Sequence, residues 1–203
     1  MSANQYSGTA YSSAAERNRQ PILKQLRILL PENCTVLEIG SGTGQHAVYF
    51  SRHLKSMQWQ PSDMEDNLAS LEVRLTEEGN PRILPSLKLD VMTDTWPQRT
   101  YTAAYSANTA HIMSWQAVEA MFAGIAIHLE KDARFCLYGP FNINGKFTAE
   151  SNAIFDRQLR LNNPEMGIRD MEAIARLADF NQMYLDREIA MPANNYILVF
   201  VKK

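Results

Sequence analysis

The residues best placed for chemistry form one short run, Glu38-Ile39-Gly40-Ser41-Gly42-Thr43-Gly44. Glycine at alternate positions gives a tight turn and lets a ligand lie against bare backbone. A helix starting just beyond it points its free N–H groups at the same place. Three chemistries compete for such a loop. A phosphate loop of the Walker type requires Gly-Lys followed by Ser or Thr, and this run has no lysine; Gly145-Lys146, the only Gly-Lys in the chain, is followed by Phe147. A dinucleotide fingerprint requires glycine at its sixth position, which here is Gln45. The third pattern, an acidic residue, any residue, then three alternating glycines, fits throughout. Glu38 weighs the same way, because a carboxylate at a strand end repels a pyrophosphate but suits a ligand bearing ammonium and sulfonium charge.

Further carboxylates stand where the next two strands should end, Asp63 and Asp90. Asp63 is placed to accept from both hydroxyls of a ribose, and Asp90 from an adenine amino group. Either fits a helix N-cap as well, the commoner role of a loop Asp. Asn108 and His111 leave the fourth strand on the ligand side. Asn108 suits an ammonium through its carbonyl oxygen; His111 suits a general base or a substrate carboxylate, or else a plain cap. Tyr138 and Phe141 offer a substrate wall or packing, and Asn194 and Asn195 offer rotatable amides or hairpin-turn residues. Arg17 and Asn18 open the first helix, where Arg17 could pair a carboxylate bidentately or stand in a solvated turn. His46 starts the helix after the glycine loop and reads as structural, as do His53 and His128. No His, Cys, Asp or Glu grouping has metal-ligand spacing, so no metal is expected.

These residues need an alternating framework to bring them together. Helical spacing from Ala14 to Leu30, a strand over 35–39, a helix over 45–54 and a strand over 57–60 come first. Ser62-Asp63-Met64-Glu65 predicts a capping box for the helix carrying Leu68, Leu71 and Leu75. Strands over 87–91, 101–106 and 134–138 alternate with a helix capped by Ser114. Helices over 148–161 and 169–180 precede strands over 182–189 and 196–201. Five alternating units predict a doubly wound, mostly parallel α/β sheet of seven strands, Rossmann-like. The last connection is too short for a crossover, so the chain must close in an antiparallel hairpin. Residues 1–13 read as a flexible segment and 14–203 as one domain, with 142–179 the obvious lid.

Composition narrows the classes. The chain has 203 residues, 45% hydrophobic and 21% charged, with a net charge of -2. That length suits one domain, and the charge gives nucleic acid no footprint. The two cysteines make no disulfide framework and read as buried fillers. No signal peptide or membrane span is expected, and a cytoplasmic location is.

A parallel sheet ending in an antiparallel hairpin, behind this glycine loop, resembles class I S-adenosylmethionine-dependent methyltransferases. Six strings are similar to one family of small methyltransferase-like proteins of uncharacterised function, found in bacteria and animals. They are Ala14-Ala15-Glu16-Arg17-Asn18, Ser41-Gly42-Thr43-Gly44-Gln45-His46, Trp59-Gln60-Pro61-Ser62-Asp63, Tyr138-Gly139-Pro140-Phe141, Gly167-Ile168-Arg169-Asp170 and Met191-Pro192-Ala193-Asn194-Asn195. The resemblance implies a class I fold and an S-adenosylmethionine site, and names no acceptor. Enzymes that methylate amide or adenine nitrogen carry Asn or Asp, Pro-Pro and an aromatic after strand four; here the chain reads Asn108-Thr109-Ala110-His111. The expected function is methyl transfer to a small polar molecule. A cofactor binder without transferase activity and a nicotinamide oxidoreductase are the rivals. The oligomeric state stays open.

Overall fold

Strand order in the computed structural model, which describes residues 10–203, is β3-β2-β1-β4-β5-β9-β8. The strands are β1 (Thr35–Ile39), β2 (Gln58–Asp63), β3 (Leu87–Lys88), β4 (Tyr101–Ala107), β5 (Leu129–Gly139), β8 (Met183–Met191) and β9 (Asn195–Lys202). Two short strands, β6 (Phe141–Asn142) and β7 (Arg169–Asp170), pair separately. The helices are α1 (Ser13–Leu29), α2 (Gln45–His53), α3 (Glu65–Glu78), α4 (Trp115–His128), α5 (Glu150–Asn162) and α6 (Met171–Phe180). The first five sheet strands are parallel. β9 runs antiparallel between β5 and β8, which is the expected closing hairpin inserted into the sheet. This is the class I methyltransferase architecture.

Strand alternation sorts the core into two layers. Leu37, Ala104, Phe135, Leu137, Leu198 and Phe200 pack with α4 and α6 on one face. Val36, Ala103, Tyr105, Cys136, Ile197 and Val199 pack with α1 and α2 on the other. Both cysteines are free and buried. No helix among the described residues is long and apolar enough to cross a membrane.

Several local expectations are corrected. α3 begins after Met64 with no side-chain cap, because Ser62 Oγ donates to the Glu38 carbonyl instead. β2 runs on through Pro61 to Asp63. Proline is tolerated there because β3 pairs only from Ser62, so the Pro61 nitrogen has no ladder acceptor to lose. β3 stops at Lys88, leaving Leu89 to Val91 to line a cavity. β5 starts at Leu129, five residues early; its exposed Glu130-Lys131-Asp132 reads as a turn, and Asp132 sits at φ 63°. Of the segment 1–13, residues 1–9 lie outside the described residues. Ala10 and Ser12 are tied to the body, and Ser12 caps α1 by accepting from the Ala15 amide.

Candidate functional site

Strand order reverses between β1 and β4, so the loops leaving their carboxyl ends diverge and open a crevice. A cavity of about 520 Å³ lies there, within the size range of small-molecule sites. Gly40, Ser41, Gly42 and Thr43 form one side, and Ala107, Asn108 and Thr109 the other. Leu89, Asp90, Val91 and Met92 close one end. Gly40 has φ 72°, and an added Cβ would lie 2.4 Å from Thr109 Cγ2. Gly42 has φ 53°, and an added Cβ would meet nothing within 4 Å. The first glycine thus lets two loops close together, while the second keeps cavity space open.

Carboxylates brace this loop from below. Asp63 Oδ2 accepts from the Gly42 amide at 2.5 Å, and Oδ1 accepts from the Met64 amide and Asn67 Nδ2 at 2.8 and 2.7 Å. Asp90 Oδ1 accepts from the Met92 amide at 2.9 Å, a local turn rather than a helix cap. Glu38 is 2% exposed, and its Oε2 accepts from Ser41 Oγ at 2.8 Å and Trp59 Nε1 at 2.9 Å. Burial outweighs those bonds and, with the Asp63 charge nearby, lifts Glu38 from its ordinary 4.5 to about 7.

Because the folded pKa is the higher one, protonated Glu38 stabilises the fold. That contribution is complete below 4.5 and is lost as pH rises through about 7. The melting temperature of the wild type, relative to Glu38→Gln, is therefore expected to fall on the order of 5 °C across that window. His46 and His111, both held near 4, act in the opposite sense but are present in both proteins. Equal pH profiles by scanning calorimetry would show that Glu38 titrates normally.

The helix side of the cavity holds residues that sequence reasoning passed over. Gln45 Oε1 accepts from the Ser12 amide at 2.5 Å and from Thr43 Oγ1 at 2.9 Å, tying the start of the described chain to the glycine loop. Ser12, Ala15, Gln45 and His46 all line the cavity. Arg74, 7% exposed on α3, donates to the Thr43 carbonyl at 2.6 Å and the Ala10 carbonyl at 2.7 Å, and pairs with Glu78. The string Gly44-Gln45-His46 was the available signal for the first pair; a lone mid-helix arginine gave none.

The remaining sequence candidates separate. Asn18 is buried, with Oδ1 2.7 Å from His46 Nε2, so it reaches the cavity only through that ring. His46 Nδ1 lies 3.2 Å from the Tyr105 hydroxyl, and burial pushes the imidazole down to about 4. A carbonyl oxygen can only accept, so Nε2 carries the proton and His46 is a neutral strut. Arg17 is exposed and outside the cavity lining, as the helix turns it toward water. Gly44 is the N-cap of α2 and does not line the cavity. Tyr138 is buried, its hydroxyl raised by desolvation and moderated by Asn18. Phe141 is 1% exposed and packs in the core rather than walling the cavity. Asn194 takes φ 56° in the β8–β9 turn and is exposed, while Asn195 Nδ2 donates to the Pro192 and Ala193 carbonyls, so the turn absorbs the Asn195 amide and neither residue lines the cavity. His111 is buried just outside the cavity, and burial with the nearby Arg169 charge holds it near 4. Among the described residues no group of three or more His, Cys, Asp or Glu is arranged to hold a metal.

Solved structures share this fold. A human N-acetylserotonin methyltransferase in complex with S-adenosylmethionine superposes with a TM-score of 0.78 at 10% identity, over 93% of this chain and 52% of that one. An O-methyltransferase family protein from Burkholderia thailandensis gives 0.79 at 11% identity, over 94% and 57%. The mitomycin 7-O-methyltransferase gives 0.79 at 14% identity, over 94% and 55%. The chain thus spans about half the length of the structures it matches. At these identities the likeness is one of fold. Residues 9–202 match the family described as "Protein of unknown function (DUF938)". With nearly its whole length matched, the chain belongs to the DUF938 family.

Proposed function

We propose that this protein is an S-adenosylmethionine-dependent methyltransferase acting on a small polar molecule. The observation that carries the reading is the cavity wall at Gly42, where open space adjoins a backbone held by Asp63 and a buried Glu38. Those residues fit the cofactor in size and charge. The glycine loop would lie along it, Asp63 Oδ2 has capacity left for ribose hydroxyls, and Asp90 is available to an adenine amine. Glu38 and Asn108 would face the ammonium end. A cation beside Glu38 draws its pKa down, so binding is expected to release a proton and to tighten as pH rises through about 7.

Held by the glycine loop, Asp63 and Asp90, the cofactor would supply an electrophilic methyl for the lone pair of an acceptor. The chain's own work is to bind, orient and exclude water. The Gln45 bond to Ser12 bears on the last of these. Gln45→Ala is expected to speed release of S-adenosylhomocysteine about tenfold, the worth of one hydrogen bond, read by stopped-flow fluorescence. An unchanged rate would show that Ser12 does not help to retain the ligand.

The primary test is calorimetric titration with S-adenosylmethionine and S-adenosylhomocysteine, followed by transfer of labelled methyl groups to a small-molecule panel. No binding by folded protein ends the proposal. A second reading, a cofactor binder without transfer, is favoured by one observation: His111, Asn194 and Asn195 stand outside the cavity lining. Tight binding with no labelled product across the panel would select it.

A further inference from the structure

His111 follows β4 and is 6% exposed, yet among the described residues neither ring nitrogen has a hydrogen-bond partner. Its backbone carbonyl accepts from the Gly167 amide, and the imidazole is left open. Buried polar groups are nearly always paired, and a neutral imidazole offers one donor and one acceptor. A second observation shows what it faces. At Gly139, the last residue of β5, an added Cβ would meet a single atom within 4 Å, His111 Nδ1 at 3.7 Å. Room for at least a methyl-sized group therefore stands beside that strand end, with the imidazole at its border. The Phe155 ring of α5 lies 5.3 Å from the imidazole at 71° and is 36% exposed, a partly uncovered aromatic wall. The Asn108 amide donates to the carbonyl of Tyr138, next to Gly139, and Asn108 also lines the main cavity. One residue thus stands between the two spaces.

The local charge selects the chemistry. The charge acting on His111 is Arg169, whose guanidinium donates to the carbonyls of Ala110, Met113 and Glu165. A cation there opposes an ammonium ligand and favours an oxygen that carries or develops negative charge. The same field and burial keep His111 neutral and a weak base at neutral pH. An acceptor held there must release its own proton readily, which suits a phenol or enol over an amine or alkyl alcohol.

We propose that the space bounded by His111, Gly139 and Phe155 is the acceptor subsite, and that it takes a planar, weakly acidic hydroxyl compound of the phenol or enol class. This rests on the methyltransferase reading above.

The test follows the ring resonances of the four histidines by carbon–proton NMR, with and without S-adenosylhomocysteine, during titration with 4-nitrophenol or benzylamine. The His111 signal is identified by its loss in His111→Gln. The expected result is a saturable shift of that signal with 4-nitrophenol and none with benzylamine. Gly139→Ala has no backbone strain and an ordinary contact to fill, so the protein folds. It is expected to weaken the 4-nitrophenol response at least about tenfold while leaving S-adenosylhomocysteine affinity unchanged. No saturable shift at His111, an equal response to benzylamine, or an unaltered response in Gly139→Ala overturns the proposal. If S-adenosylhomocysteine fails to bind but His111 still responds to 4-nitrophenol alone, the cofactor reading falls and takes the acceptor role with it, leaving only a hydroxyl-binding site at His111.

Discussion

Gly42→Val is expected to weaken S-adenosylmethionine binding by at least about 100-fold, roughly 2.7 kcal/mol, while the protein stays folded. Two features separate the effects. A side chain at Gly42 meets no protein atom within 4 Å, so its bulk enters the cavity rather than the core. The cost to the fold is conformational, since φ 53° suits glycine; placing a side chain there costs about 1–2 kcal/mol. Against a typical stability of roughly 5–15 kcal/mol the variant remains native. Gly40→Val gives the contrasting result. Its Cβ would sit 2.4 Å from Thr109 Cγ2, so loop packing and stability suffer together. Calorimetric titration paired with thermal melting reads both quantities. Wild-type affinity in a folded Gly42→Val protein would place the cofactor elsewhere.

Asp63→Ala is expected to have the next largest effect, and a double one. Three donors converge on this carboxylate: the Gly42 amide, the Met64 amide and Asn67 Nδ2. Removing it releases the glycine loop from the end of β2 and leaves two backbone amides to find water. With hydrogen bonds to a charged group worth about 1.5–3 kcal/mol each, and water offsetting part of the loss, a destabilisation of about 2–4 kcal/mol follows. Cofactor affinity should fall by about 100-fold or more, since both the loop and the ribose acceptor are lost. Asp63→Asn separates the two roles. It retains one oxygen for the Gly42 amide and the ligand but loses the negative charge, and its NH2 group faces the Met64 amide and Asn67, so stability returns only in part. Melting above that of Asp63→Ala with binding still at least tenfold weaker than wild type, roughly 1.4 kcal/mol, assigns the carboxylate charge to the ligand; full recovery of binding reduces Asp63 to a brace.

The sequence by itself determined the fold class, because alternating burial and the spacing of glycines are local signals. Leu37 and Val36 point to opposite faces, as their strand period requires, and the short link before β9 forces an antiparallel return. It also determined that Glu38, Gly40, Gly42, Asp63, Asp90 and Asn108 would meet, because each stands at or just beyond the carboxyl end of a parallel strand and all such ends share one side of the sheet. Only the tertiary structure decided what completes that side. Asn108 and His111 lie three residues apart, yet the left-handed backbone at Asn108, φ 59°, puts one on the cavity wall and leaves the other beside Gly139. Asn195 spends its amide on its own turn, and Phe141 is drawn into the core. Gln45 and Arg74 gain their importance from partners 33 and 64 residues away, Ser12 and Ala10. Periodicity records which face of an element is buried; it carries no record of which distant backbone groups a side chain must satisfy once the elements have packed.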